Sequence, residues 1–409
     1  MQHSDDIGHV ADKTTIEVTG RRRLTAIRAA YLFDGVSSTL VADPLLLLDG
    51  ARIVAVDHGV TPPSDAELVD LAGATLLPGL VDTHVHLAFD ASTDVVGALL
   101  GRSDAEVRTA MATAARTAVA GGVTTVRDLG DRDYLSLDLR GVAGLPTVVA
   151  AGPPVTTPGG HCHYLGGVTQ PGEDAMRRAV REHVEQGVDV IKIMASGGTL
   201  TPGTRQECAQ FTPDELRVAV DEAHLHGLPV TAHVHATSTV AGAMAAGVDG
   251  MEHVSFWTAD GVDSPAELIH EIADRRIVVG ATMGLVPVAG ATPPPPVVAR
   301  LPKIIENIRL LVEAGASMVV GTDAGIGPVK PHDVVRYAIP QLVGLGFSRA
   351  EALRTVTSAA AAVCGLADRK GRLAAGFDAD VLAIDGDPLT DPEAIHRIRA
   401  VYAGGVPVT

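Results

Sequence analysis

The segment GLVDTHVHL, residues Gly79 to Leu87, joins a short apolar run to two histidines that are one residue apart. Side chains alternate between the two faces of a β-strand, so His84 and His86 point to the same side. Two imidazoles side by side on a buried strand are suited to metal binding, since histidine is the commonest metal ligand. A pair of structural histidines is the alternative, and the rest of the chain decides between the two.

This apolar run is the first of eight between residues 80 and 322. Each run is rich in β-branched residues and lacks polar alternation, which is typical of parallel strands buried on both faces. Helical stretches separate most of them, and eight strands alternating with helices predict an α/β fold, a (β/α)8 TIM barrel. The runs are LVDTHV, GVTTVRD, PTVVAAG, VDVIKIM, LPVTAHV, VDGMEHV, RIVVGATM and ASMVVGT. Capping-box pairs predict four helix starts, at Ser103 with Glu106, Thr212 with Glu215, Ser264 with Glu267 and Ser348 with Glu351.

Short strands with Asp-Gly and Gly turns flank the barrel on both sides. Residues 24–79 and 372–409 are predicted to form one small, discontinuous β-sandwich domain from both termini. Residues 80–371 are predicted to form the barrel, and residues 1–23 a flexible N-terminal tail.

The composition excludes several classes of partner. The 409-residue chain has a formal net charge of −17, which argues against nucleic acid or an anionic membrane, because phosphate binding requires clustered Lys and Arg. Cys162, Cys208 and Cys364 show no Cys-x-x-Cys spacing, which argues against a disulfide framework and a cysteine metal site. The N-terminus lacks a signal-peptide pattern and no apolar run reaches membrane-spanning length, so a cytoplasmic location is expected.

Residues with metal-ligand chemistry occur at the carboxyl ends of five predicted strands, the end of a parallel barrel where active sites lie. A lysine among them is unusual, because burying its charge is costly and lowers its pKa toward the neutral amine. A neutral Lys192 can react with carbon dioxide to give a carbamate that bridges two metals, whereas an ion pair with Asp323 is the alternative. The converging residues are His84, His86, Lys192, His233, His253 and Asp323.

The motifs PGLVDTHVH, IKIMASGG, TAHVHA, GVDGMEH and GTDAG together resemble the metal-dependent amidohydrolase superfamily. The similarity runs from about residue 45 to residue 386. More narrowly, the chain resembles the branch of Xaa-Pro and related dipeptidases and ochratoxin-type amidases, often labelled imidazolonepropionase-like. The loop GGHCHYLGG and the segment KGRLAAGFDADVLAID are also similar to that branch. The resemblance implies a metal-dependent hydrolase acting on a carbon–nitrogen bond of an amide or peptide.

The resemblance also implies a role for each converging residue. The implied ligands are His84, His86 and Asp323 for a first metal, His233 and His253 for a second, and N6-carboxylated Lys192 as the bridge. Zinc is expected, since it accepts imidazole and carboxylate ligands. A hydroxide between the metals would attack the amide, and Asp323 would accept its proton and pass it to the leaving amine. Imidazolonepropionases usually hold one metal and lack this lysine, so Lys192 argues against that activity.

Candidate substrate-binding residues follow the third and fourth strands. His161 is predicted to polarise the substrate carbonyl, with His163 and Tyr164 in the same pocket, and a solvated loop histidine is the alternative for His161. Arg205 could clamp a substrate carboxylate, although a solvent-facing charge is the alternative. The Arg205 loop lacks a tyrosine found in some dipeptidases, which argues against simple transfer of Xaa-Pro specificity. His235 is predicted to support the metal ligands from behind.

The leading prediction is a binuclear-metal amidohydrolase that cleaves a dipeptide or an N-acyl amino acid with a free carboxylate. Hydrolytic trimming of a longer, modified peptide in natural-product biosynthesis is a second reading. Hydrolysis of a cyclic amide or amidine, as in imidazolonepropionase, or deamination is a third, for which one metal per chain is expected. An inactive binding scaffold ranks last, because every ligand position holds a competent residue. The expected partner is a small peptide or amide substrate, and a homo-oligomer is compatible with the family.

Overall fold

A computed structural model describes residues 24–288 and 295–408 of the chain. The predicted flexible tail, residues 1–23, lies outside the described residues. The strands within the described ranges are β1 (Thr25–Leu32), β2 (Val41–Ala42), β3 (Pro44–Asp49), β4 (Arg52–His58), β5 (Glu67–Pro78), β6 (Leu80–Val85), β7 (Val123–Asp128), β8 (Thr147–Ala150), β9 (Ile191–Met194), β10 (Val230–Ala236), β11 (Gly250–Trp257), β12 (Val278–Ala281), β13 (Met318–Val320), β14 (Val381–Asp385), β15 (Ile398–Ala403) and β16 (Val406–Val408).

The helices in the same ranges connect these strands. They are α1 (Val95–Leu100), α2 (Asp104–Ala120), α3 (Glu173–Gln186), α4 (Pro213–Leu225), α5 (Thr237–Ala246), α6 (Ala266–Asp274), α7 (Pro295–Glu313), α8 (Val335–Gly344), α9 (Arg349–Arg354) and α10 (Ser358–Val363). None of the helices in the described part of the chain combines the length and the apolar character needed to cross a lipid bilayer.

Parallel strands β6 to β13 carry the candidate site. Each of the eight predicted apolar runs overlaps one of them, which confirms the parallel α/β architecture. Strands β6, β7 and β8 form a three-stranded sheet, and β9 to β13 form a five-stranded sheet. Isolated parallel bridges connect the sheets, Val155 with Ile193 on one side and Val85 with Ala324 on the other. Full closure into a barrel stays a prediction.

Capping boxes start several of the helices on the outside of these sheets. Ser103, Thr212 and Ser348 each accept a backbone hydrogen bond and form the predicted capping box with the glutamate three residues on. The fourth predicted box, at Ser264, is wrong. Its hydroxyl instead hydrogen-bonds Asn307 of α7 at 2.5 Å, a tertiary partner that local sequence does not reveal.

Strands from both ends of the chain meet in a separate sheet of eight strands. Its order is β16-β15-β14-β5-β1-β3-β4, with β2 paired to β1. The antiparallel pairing of β14 with β5 joins the two ends, and Ile27, Leu46, Leu76 and Val381 are fully buried in its core. All eight strands belong to one hydrogen-bonded sheet. The two layers of a sandwich and the predicted domain boundaries therefore stay predictions.

Candidate active site

His84, His86 and Asp323 form a cluster at the end of β6. Strand β6 and the segment after β13 lie side by side because Val85 bridges to Ala324. Nε2 of His86 lies 3.1 Å from Oδ1 of Asp323, and Nε2 of His84 lies 3.6 Å from the same oxygen. The ligand atoms of all three residues lie within 4.8 Å of one another. Two imidazoles and a carboxylate so arranged suit a divalent metal ion.

A second cluster is formed by histidines of β10 and β11. Nδ1 of His233 lies 2.9 Å from Nε2 of His253. Nε2 of His233 faces the carbonyl of Gly197 at 3.1 Å, which places its proton there and leaves a lone pair on Nδ1. His235 belongs to the same group, with ligand atoms of the three histidines within 4.8 Å of one another. The second cluster therefore offers nitrogen ligands for another metal ion.

The backbone is unusual at one residue of each cluster. His253 and Asp323 adopt φ values of 74° and 63°, in the left-handed region. This conformation is uncommon outside glycine and costs on the order of 1 to 3 kcal/mol. The pairing of β10 with β11 is also irregular here, with a register shift between Val234 and Ala236. Such strain gathers at functional sites, where the fold keeps a side chain in place against the backbone preference.

Lys192 of β9 is completely buried. Within the described ranges its Nζ has no hydrogen-bond partner, so the alternative of an ion pair with Asp323 is not formed. Burial lowers the pKa of Lys192 to about 8, although the charges of Glu252 and Asp323 oppose the shift. A buried amine with a lowered pKa and no partner fits the chemistry of a lysine that takes up carbon dioxide.

Burial also keeps the histidines of the site neutral, except His86, whose pKa is raised because its carboxylate neighbours outweigh burial. Burial lowers the pKa of His84 to about 4, with the charge of Lys192 as a further cause. The pKa of His235 falls to about 3, and those of His233 and His253 fall well below the ordinary value, for the same leading reason. Neutral imidazoles are the form that binds metals, so these residues are ready to do so near neutral pH.

We expect the metal-free protein to lose stability as the pH falls from about 6.5 toward 4. The unfolded chain protonates His84, His161 and His235 near 6.5, but the folded chain does so only near 3 to 4. At these histidines the unfolded chain thus binds more protons in this window, and each contributes on the order of 3 kcal/mol. The histidines outnumber Asp82 and Asp131, whose raised pKa values of about 6 and about 7 act in the opposite direction. Urea unfolding of the metal-free protein at about pH 7.5 and about pH 4.5 measures the difference. Equal free energies of unfolding would contradict the assignment.

His161 lies against the second cluster. Its ring centroid is 4.8 Å from that of His233, and its side chain is buried. Nδ1 lies 3.2 Å from the hydroxyl of Thr201, and the backbone N–H donates to the side chain of Gln210. The alternative of a solvated loop histidine does not apply. Burial lowers the pKa of this imidazole to about 4.

The other three substrate candidates have different surroundings. His163 is exposed, and Tyr164 is half-buried with its hydroxyl 3.7 Å from the sulfur of Cys162. The side chain of Arg205 is 69% exposed and donates to the sulfur of Cys208 at 3.1 Å. Arg205 thus faces solvent, as the alternative expected, although it also lines a cavity.

This cavity has a volume of about 370 Å³ and lies between the loops that follow β8 and β9. Gly197, whose carbonyl faces His233, is part of the wall, and so is Gly160, which precedes His161. The cavity therefore adjoins the second cluster. Arg205 is the charged residue of the described lining, so an anionic group that enters the cavity meets a cation there, which also lies 3.5 Å from a carboxylate oxygen of Glu207.

A buried ionic network that was not predicted from the sequence lies behind the first cluster. Oε1 of Glu252 accepts hydrogen bonds from Arg127 at 2.9 Å and from the hydroxyl of Thr231 at 2.8 Å. Oε2 of Glu252 lies 3.2 Å from Nδ1 of His84. A signal for this network was present, since Glu252 directly precedes His253 inside an apolar strand and Arg127 interrupts another.

Asp82 is a second residue that was missed. Its Oδ1 accepts hydrogen bonds from the backbone N–H of Thr322 at 3.0 Å and of His84 at 3.3 Å. Its Oδ2 accepts from the hydroxyl of Thr322 at 2.5 Å. The carboxylate thus holds together the two segments that carry His84 and Asp323.

Comparison with known proteins identifies the chain. The sequence model of the amidohydrolase family matches residues 75–408. The chain belongs to the amidohydrolase family. The resemblance seen in its motifs is thereby confirmed, and the protein is a hydrolase of a family that is typically metal-dependent.

Several relatives of this amidohydrolase are enzymes with named activities. It is 28% identical to ochratoxinase of Aspergillus niger over 364 residues, which covers 80% of this chain and 73% of the relative. It is 27% identical to imidazolonepropionase of Deinococcus radiodurans over 384 residues, covering 85% and 86%. The crystal structure of a Xaa-Pro dipeptidase with methionine in its active site is similar, with a TM-score of 0.83 and 25% identity, covering 94% and 99%. The likeness therefore extends over most of the fold.

Proposed function

We propose that this amidohydrolase is a binuclear-metal enzyme that cleaves the amide bond of a dipeptide or an N-acyl amino acid with a free carboxylate. The observation that carries the proposal is a buried lysine, without a hydrogen-bond partner among the described residues, whose charge acts on members of two clusters of metal-ligand residues. The charge of Lys192 is the second cause, after burial, of the lowered pKa of His84 in the first cluster, and it is a smaller contribution to the lowered pKa of His233 in the second. The names of the relatives, ochratoxinase and Xaa-Pro dipeptidase, agree with an amide substrate.

We also propose that the site lies in a closed barrel with a small second domain beside it. Bridges at both edges of the two parallel sheets support closure of β6 to β13 into a TIM barrel over residues 80–371. The sheet that joins both chain ends supports a small second domain from residues 24–79 and 372–409. The barrel would bring all proposed ligands to one end of the strands.

The donor set fits two divalent metal ions. His84, His86 and Asp323 would hold the first, His233 and His253 the second, and N6-carboxylated Lys192 would bridge them. Imidazole and carboxylate oxygen suit zinc. When bound, such ions supply a water of lowered pKa and polarise the substrate carbonyl.

The chain's own residues would move the proton and orient the substrate. Burial disfavours an ionised Asp323, but the neighbouring imidazoles of His84 and His86 hold its pKa well below the usual range. As a carboxylate, Asp323 would accept a proton from the attacking water and return it to the leaving amine. His161, held by Thr201, would donate a hydrogen bond to the carbonyl oxygen as charge develops there.

His235 would act through His253. Its ring stacks on that of His253, with centroids 4.5 Å apart and an interplanar angle of 19°. Nδ1 of His235 is 2.7 Å from the hydroxyl of Ser255, which fixes the ring. The stacked ring would limit rotation of the ligand imidazole, as predicted for a residue that supports the metal site.

Replacing Arg205 by Met is expected to raise KM about tenfold for a substrate with a free carboxylate, with little change in kcat. The guanidinium is the charge in the cavity lining that can pair with that group. Steady-state kinetics on an N-acyl amino acid measure the effect, and the corresponding C-terminal amide is the control substrate. Arg217→Met, at an exposed site on α4, is the control variant. An unchanged KM would show that Arg205 does not bind the substrate carboxylate.

A substrate panel tests the proposed function. The protein is loaded with zinc and bicarbonate and given N-acyl amino acids, longer peptides, and dipeptides ending in Pro, Arg or a hydrophobic residue. Hydrolysis of the small carboxylate-ended amides supports the proposal. Cleavage of long peptides alone, with two metals bound, favours peptide trimming. One metal per chain with turnover of a cyclic amide favours the imidazolonepropionase-like reading.

A further inference from the structure

A buried carboxylate lies behind His84, on the side away from Asp323. Nδ1 of His84 is 3.2 Å from Oε2 of Glu252, and neither atom has a well-aligned hydrogen-bond partner in the described part of the chain. Nε2 of the same ring faces Asp323 at 3.6 Å. We propose that Glu252 is a positioning residue that keeps the proton of His84 on Nδ1 and leaves the lone pair of Nε2 for a metal ion. The inference rests on the first metal site of the proposed function.

The competition between two carboxylates gives Glu252 this role. A neutral imidazole has a single N–H, and a carboxylate can only accept a hydrogen bond. Asp323 alone would draw the proton of His84 to Nε2 and block that nitrogen as a ligand. Oε2 of Glu252 lies 3.2 Å from Nδ1, whereas Oδ1 of Asp323 lies 3.6 Å from Nε2. The closer carboxylate therefore holds the proton on Nδ1.

Neighbouring residues hold Glu252 in this orientation. Arg127 and Thr231 both donate to Oε1, which leaves Oε2 for His84. Nε of Arg127 also donates to the carbonyl of Thr83 at 2.7 Å, so the arginine ties the carboxylate to the strand that carries His84. The close approach requires glycine on β12, because a Cβ at position 280 would overlap Oε2 of Glu252.

The Glu252→Gln variant tests the proposal. Its amide oxygen would stay with the donors Arg127 and Thr231, so its NH2 group would face Nδ1 of His84. That donor requires a lone pair on Nδ1 and moves the proton to Nε2. We expect the first zinc ion to bind about 10 to 100 times more weakly, and the second to change by less than about threefold.

Zinc stoichiometry and chelator competition measure the two affinities, and the His84→Asn variant identifies the first ion. Spectra of ¹⁵N-histidine-labelled protein report which nitrogen of His84 carries the proton, a readout that a purely structural role would not move. Glu222→Gln is the matched control, because Glu222 is a buried glutamate paired with Arg181 outside the site. The control should bind both ions as the unmodified protein does.

Each outcome decides a different question. Unchanged zinc affinity and an unchanged His84 proton in Glu252→Gln would overturn the positioning role. Failure of the unmodified protein to bind a first ion would instead overturn the proposed metal site. Should Glu252→Gln not fold, Glu252→Asp keeps the charge but withdraws the oxygen from His84. It is expected to lose first-ion affinity in the same way, and full affinity there would also overturn the role.

Discussion

Replacement of Asp323 by Asn is expected to lower kcat by at least about 10⁴-fold while the protein stays folded. The amide has nearly the same shape as the carboxylate, so packing is kept. It cannot accept the proton from water, and it is a weaker ligand beside His84 and His86. Both losses act on the same step, so the effect on turnover should be near complete.

The measurement is single-turnover hydrolysis of the best substrate of the panel, together with zinc content and the midpoint of thermal unfolding. Asp214→Asn is the control, because Asp214 lies on α4 with a side chain that is 75% exposed. The control should match the unmodified protein in all three quantities. Substantial turnover by Asp323→Asn would contradict the role of Asp323 as proton acceptor.

Replacement of Lys192 by Gln is expected to lower the zinc content from two ions to one and turnover by about 10³-fold or more. The glutamine is of similar size but cannot form a carbamate. Protein prepared in ¹³C-bicarbonate should show a carbamate signal that Lys192→Gln lacks. The lowered pKa of Lys192, about 8, leaves enough neutral amine for this reaction near pH 8.

The chain offers a matched control for the carbamate signal. Lys330 is a second buried lysine, and burial lowers its pKa to about 8 as well. Unlike Lys192, its Nζ donates to the carbonyls of Thr282 and Met283, both at 3.4 Å. Lys330→Gln should therefore keep the carbamate signal. Loss of the signal in Lys330→Gln, with retention in Lys192→Gln, would show that the carbamate forms on Lys330 and would contradict our proposal.

Two buried carboxylates act on His84 by separate means. Asp82 accepts a hydrogen bond from the backbone N–H of His84 and links His84 to the segment that carries Asp323. Asp82 therefore sets where the imidazole of His84 lies. Glu252 faces the ring nitrogen and would set which nitrogen is free. The first acts on position and the second on proton placement, which explains why two buried carboxylates surround one ligand.

The sequence alone was sufficient to predict the strands and to single out the residues with metal-ligand side chains at their ends. Local periodicity predicted the eight parallel strands, since a strand buried on both faces is apolar at every position. Spacing placed His84 and His86 on one side, and the structure brings them to Asp323. Three of four predicted helix caps are present, because a capping box depends only on residues three apart.

Only the tertiary structure decided what surrounds each of these residues. Glu252 and Arg127 are 125 residues apart in the chain, and no local pattern reveals that they share a hydrogen bond behind His84. Ser264 does not form its predicted capping box, because its hydroxyl hydrogen-bonds Asn307 on another helix. Burial of His161 and exposure of Arg205 likewise depend on how loops pack. Side-chain type and strand period are properties of short segments, whereas partners, proton placement and pKa depend on distances that only the folded chain defines.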